Sequence, residues 1–152
     1  MFYKFNADME LENGGLKVDE LKSKTQRELK SLAKDSFKGI ISSQLWFNVQ
    51  DEFNIENFIY SINMLKDRTI DSIRNIIIKS IADTNKWAKR SGNKTISYVM
   101  SKNTKVDKRY IDKYIPTKYR IRVSAFEFNM LFEVYLDNDN FIKEVVIRSK
   151  NY

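Results

Sequence analysis

Between Lys86 and Arg122 the chain carries twelve cations, Lys86, Lys89, Arg90, Lys94, Lys102, Lys105, Lys108, Arg109, Lys113, Lys118, Arg120 and Arg122, interleaved with Trp87, Tyr98, Tyr110, Tyr114 and Tyr119. Cations neutralise phosphates and aromatic faces stack on exposed bases, so the segment has the composition of a nucleic-acid surface. Its candidate contacts are Lys102, Lys105, Lys108, Arg109, Lys113, Arg120 and Arg122. A solvated helix face with the tyrosines packed beneath it accounts for the same residues and carries more weight. Two short helical patterns, Ile96, Val99, Met100 and then Val106, Tyr110, Ile111, flank Asn103-Thr104. Together they would make a helix-turn-helix that presents Lys105, Lys108, Arg109 and Lys113 to DNA, with the strand from Arg120 to Val123 as a wing.

Covalent chemistry has little to work with. The chain holds neither cysteine nor histidine, which removes disulfides, thiolate nucleophiles, imidazole bases and nearly all zinc sites. Carboxylates with a hard cation, or Lys, Arg and Tyr, are what remain, and no Asp-x-Asp pair, phosphate loop or nucleophile elbow accompanies them. No catalytic residue, cofactor or metal ligand is assigned, and the chain reads as a non-enzyme. Twenty-seven basic residues against twenty acidic ones give a charge of +7 and a pI near 9.5. Such a charge suits nucleic acid or an acidic protein equally. Lys and Asn are abundant, while Gly numbers four and Pro one. That is the composition of an AT-rich genome, so part of the charge is codon bias.

The elements that must position these residues follow from hydrophobic spacing. A length of 152 residues with 42% hydrophobic content fits a single α+β domain with one core. It divides into an arm or strand (1–15), a helical part (16–115) and an antiparallel sheet of three to four strands (117–150). No apolar run is long enough to span a bilayer, and no secretory leader is visible at the start. Phe2 to Leu11 alternate loosely up to Asn13-Gly14-Gly15, a turn signal. Val18, Leu21, Thr25, Leu29, Leu32, Ala33, Phe37 and Ile40 recur at helical spacing and predict a helix from about Val18 to Phe37, ended or bent at Gly39. Leu45-Trp46-Phe47 follows as an aromatic run.

Asn54 stands as an N-cap for a second stripe running from Phe58 through Ile62, Leu65, Ile73, Ile77 and Thr84 to Ala88, with Gly92 as its stop. Unbroken, this helix would be roughly 55 Å long, well beyond a domain with a radius of gyration of about 15 Å. It must break, best at Lys66-Asp67-Arg68, or reach a neighbouring subunit. After Pro116 the period changes to two. Tyr119, Ile121 and Val123 alternate with Arg120, Arg122 and Ser124, and Phe126, Phe128 and Met130 continue the apolar face. Leu131–Leu136 and Phe141–Ile147 flank the turn Asp137-Asn138-Asp139-Asn140.

Two resemblances bear on function. Arg120, Arg122, Glu133, Arg148 and Tyr152 on the last strands look broadly like the sheet of the RelE/ParE-like ribonuclease toxins, where basic strand residues hold RNA. That likeness covers about the last 35 residues of the 152, and the connection from the first strand is far longer than in that family. The weightier resemblance runs from Leu65 to about Val123: an amphipathic helix carrying Ala82-Asp83-Thr84-Asn85-Lys86-Trp87-Ala88-Lys89, a short Ile96-Ser97 stretch, the segment from Val106 to Ile111, then Lys118-Tyr119-Arg120-Ile121-Arg122-Val123. This order resembles the minor tail protein Z group of tailed phages and prophages, with Asn85, Trp87, Ala88, Ile96, Val106, Ile111 and Arg122 as matching positions. The Gly-rich and Pro-rich loops frequent in that group are missing here. The resemblance implies a virion structural protein, a homo-oligomeric ring subunit completing the tail at its neck, assembled in the bacterial cytoplasm. Its partners would be other copies of itself and tail-tube or neck proteins, through Phe2, Tyr3, Phe5, Trp46, Phe47 and Trp87. The alternatives are a nucleic-acid-binding protein of a mobile element, and a toxin-like ribonuclease or host-factor inhibitor.

Overall fold

The computed structural model describes residues 2–6, 16–47, 51–100, 104–105 and 119–149. Its elements follow in the order β1 (Phe2–Asn6), α1 (Val18–Lys22), α2 (Gln26–Leu45), α3 (Glu52–Asn63), α4 (Ile70–Arg90), β2 (Tyr98–Met100), β3 (Thr104–Lys105), β4 (Tyr119–Ala125), β5 (Met130–Leu136) and β6 (Ile142–Ser149). The fold class is α+β, with the main sheet strands C-terminal. Two compact units emerge: a sheet unit, Met1–Met9 with Ser97–Tyr152, and a helical unit, Glu10–Ile96.

In the helical unit, helix boundaries are set by side chains that satisfy orphan backbone donors. The single helix expected from Val18 to Phe37 is two helices, because Thr25 adopts an extended conformation and caps α2. Its hydroxyl accepts the Glu28 N–H at 3.1 Å, and the Glu28 carboxylate accepts the Thr25 N–H at 3.2 Å. This reciprocal box starts a helix that then runs beyond Phe37 to Leu45. Gly39 neither ends nor marks the limit of α2. It lies inside the helix at a close approach to Asn54, where a Cβ would collide with the Asn54 amide. Asn54 is correspondingly not the cap of α3. That role falls to Asp51, whose carboxylate accepts the Asn54 backbone N–H at 3.2 Å and also its side-chain amide.

The long stripe breaks where its excess length requires. The helix ends at Asn63, and a new one starts at Ile70 under the Thr69 cap, whose hydroxyl accepts the Ser72 N–H at 3.0 Å. The break lets α3 and α4 each pack against α2, so that Phe58, Ile62 and Leu65, and Ile73, Ile77 and Ile81, are buried along with Leu29, Ala33, Phe37, Ile40 and Ile41 of α2. The Phe37 and Phe58 rings meet at 5.1 Å, tilted 53°. At the far end Gly92 takes a positive φ of 72°, and the Asn93 N–H returns to the Ala88 carbonyl at 2.8 Å. This is the left-handed helix stop that glycine supplies without steric cost.

The sheet is antiparallel throughout, in the order β1-β6-β5-β4-β2, with β3 also paired to β4. Period-two alternation sends Ile121, Val123, Phe132, Val134, Val145 and Ile147 to one buried face,. The β5–β6 turn falls at Asp137–Asn140, where the Asp137 carboxylate accepts the Asp139 and Phe141 N–H groups at 2.9 and 3.0 Å. Phe126 and Phe128 do not extend the apolar face. They lie in the turn between β4 and β5, with Phe126 exposed and Asn129 at a φ of 53°.

One further expectation is corrected, and the choice between arm and strand at the first residues is decided for the strand. Tyr98–Met100, placed in a helix by its spacing, is a strand paired with Ala125–Val123, so the helix-turn-helix loses its first helix. Phe2–Asn6 is not a free arm but this sheet's own edge strand, paired in register from Phe2↔Arg148 to Asn6↔Glu144.

Candidate interface and the arginine cluster

Four of the seven matching positions of the tail-protein resemblance, Asn85, Trp87, Ala88 and Ile96, lie in the last turns of α4 or just after it, while Arg122 is in β4. Asn85, on the side of α4, clamps the chain that follows it: its carbonyl oxygen accepts the Ile96 N–H at 2.6 Å and its amide donates to the Ile96 carbonyl at 3.1 Å. Ala88 one turn later is fully buried, and so is Ile96. A residue with one donor and one acceptor side by side is what this pairing needs, since it mimics a strand neighbour. Val106 and Ile111 of the same resemblance lie outside the described residues.

Trp87, between Asn85 and Ala88, points off the buried stripe and is 41% exposed. Its ring meets that of Trp46 edge-on at 5.3 Å, 67° between planes. Phe47, next along, is 63% exposed. The C-terminal ends of α2 and α4 thus bring together Trp46 and Trp87 of the expected contact set. Lys86, Lys89 and Arg90 are exposed around Trp87. Phe2, Tyr3 and Phe5 are committed through their backbones to β6.

On the sheet, pairing register builds a second polar group. Glu133 of β5 lies opposite Arg122 of β4, Arg120 follows two residues along the same face, and Arg148 of β6 stands opposite Leu131. Glu133 is 1% exposed. Its Oε2 lies 3.3 Å from both Arg120 Nη1 and Arg122 Nη2 and accepts the Tyr135 hydroxyl at 3.0 Å, while its Oε1 lies 3.1 Å from Arg148 Nε. The last contact is an ion pair by distance, though the N–H is not aimed squarely at the oxygen. Burial raises the Tyr135 pKa above the ordinary 10.0, helped by the adjacent Glu133 charge and its acceptance of the phenolic proton. Tyr135 is therefore a fixed donor near neutrality, not a base. The arginines that a ribonuclease reading would set against RNA are drawn inward onto one carboxylate.

Of the remaining nucleic-acid candidates, Lys105 has its backbone in β3, paired with Tyr119. Lys102, Lys108, Arg109, Lys113 and also Tyr152 lie outside the described residues. Among the described residues no group of three or more His, Cys, Asp or Glu could hold a metal ion, and no helix is long and apolar enough to cross a membrane. Set against family models, curated proteins and solved structures, the chain finds no match.

Proposed function

We propose that this chain is a structural subunit of a phage tail or phage-derived particle, completing the tail at its neck end by assembling with copies of itself and with neighbouring tail proteins. One observation carries the reading: the edge-on Trp46–Trp87 pair and exposed Phe47 at the C-terminal ends of two helices. Large aromatic side chains left in water beside cationic ones have the make-up of an interface core with its polar rim. The reading draws further support from positions that the resemblance to minor tail protein Z singles out: Asn85 and Ile96, which form the clamp, and the buried Ala88 between them in sequence. It does not lean on an overlong helix or a free arm. Its action is surface complementarity, with no reaction to perform.

Light scattering over a wide concentration range tests it. The wild-type chain is expected to form a closed multimer, alone or on addition of tail-tube subunits. Trp87→Ala with Phe47→Ser is expected to lose that multimer while keeping its helical circular dichroism. A chain that stays monomeric under every one of these conditions overturns the proposal.

A further inference from the structure

A cationic groove lies within the helical unit, on a face that the assembly reading does not use. Arg27, Lys30, Ser31 and Lys34 of α2 face Ile76 and Lys79 of α4 across a groove of about 350 Å³. On α2 the cations fall at intervals of three and four residues, so they form one stripe along the helix. Lys38 extends that stripe by a further turn, bringing successive lysines about 6 Å apart along the axis. Two acidic residues stand beside this stripe: Lys34 holds Asp83 at 3.2 Å, and Lys38 lies 4.0 Å from Asp35. The Asp83 carboxyl is held below the usual aspartate range first by the Lys34 contact, against some desolvation, and then by the charges of Lys34, Lys38 and Lys86. Arg27, Lys30 and Lys79 have no acidic partner among the described residues.

We infer that this groove binds the phosphodiester backbone of double-stranded nucleic acid without regard to sequence. A row of evenly spaced cations matches a repeating array of charges better than it matches a single compact anion. Each strand of a duplex carries its phosphates at regular intervals, one per about 3.4 Å of helix axis, and each cation of the stripe is expected to contact one. Among the described residues its lining holds no aromatic side chain, and base stacking is how proteins favour single strands. The groove therefore reads shape and charge, and duplex is its ligand.

Binding of a labelled DNA duplex, followed by fluorescence anisotropy at several salt concentrations, tests the inference. Lys30→Ala with Lys79→Ala is expected to weaken binding about tenfold at moderate salt and to flatten the salt slope by about two, since each phosphate contact contributes roughly 0.9 to it. Lys66→Ala with Lys94→Ala removes the same charge from exposed positions off the groove and should leave that slope nearly unchanged. Asp83→Asn frees Lys34 and should tighten binding. Equal loss from the two lysine pairs would overturn the assignment, as would no duplex binding by the wild-type chain. Tighter binding of single-stranded DNA of the same length, or equal competition by polyglutamate, would overturn it too. These results are independent of whether the chain assembles.

Discussion

Glu133 is a buried carboxylate that three guanidiniums and a phenol have closed over, and removing its charge should cost more than its own contacts suggest. Glu133→Gln keeps the shape but removes the charge on which Arg120, Arg122 and Arg148 converge. Breaking a buried ion pair from one side destabilises by about 3 kcal/mol, and chemical denaturation is expected to report a loss of that size. Tyr135 gives the same cluster a pH signature. Burial, seconded by Glu133, raises its pKa in the folded chain, so the folded state holds the phenolic proton more tightly than the unfolded one. That stability is intact below pH 10.0, the ordinary tyrosine value, and is lost as pH rises through the higher folded value. Tyr135→Phe should abolish this alkaline component, and urea melts on both sides of that pH would detect it. The cluster's ingredients were legible in the alternation of Arg120 and Arg122. Glu133 and Arg148 join them in the sequence as charges of the last strands, but that Glu133 is buried and takes all three arginines is not legible there, because strand pairing register is a property of the sheet and not of any one strand.

At the scale of elements, caps and breaks decided what periodicity could not. The stripe from Phe58 to Ala88 was correctly seen to be too long, and Lys66-Asp67-Arg68 to be where it yields. Thr25 was read as one more helical position because its spacing fitted, although Thr25 and Glu28 together spell a capping box. The α2 cations show a related limit: the apolar stripe alone predicts the helix, while Arg27, Lys30, Lys34 and Lys38 make a second stripe on another face. Gly39 could not be understood locally, since what it accommodates is Asn54 of a different helix. An alanine there gains about 1 kcal/mol in helix propensity, but overpacking against Asn54 costs about 1–3 kcal/mol. Gly39→Ala is therefore expected to lower the thermal midpoint. Adding Asn54→Ala should recover most of the loss, a coupling that a double-mutant cycle measures.

Taken whole, the molecule has two units with different habits of contact. The helical unit Glu10–Ile96 closes on contacts within its own stretch of sequence, with α3 and α4 each packed on α2. The sheet unit joins Phe2 to Arg148, and the entire helical unit lies in the sequence between those partners. Fold class was readable because a change of period after Pro116 needs no long-range knowledge. The pairing of β1 was not, since any strand-like segment at that point would have looked equally free. That pairing also orders events in time. Local contacts form quickly, and widely separated ones must first close a long loop. Pulse-labelled hydrogen exchange during refolding should find α2, α3 and α4 protected before the amides of β1, and simultaneous protection would contradict this order. In a cell β1 leaves the ribosome long before its partner β6 and is thus late to find its place. Until β6 arrives, that nascent strand is a bare ribbon in need of chaperoning.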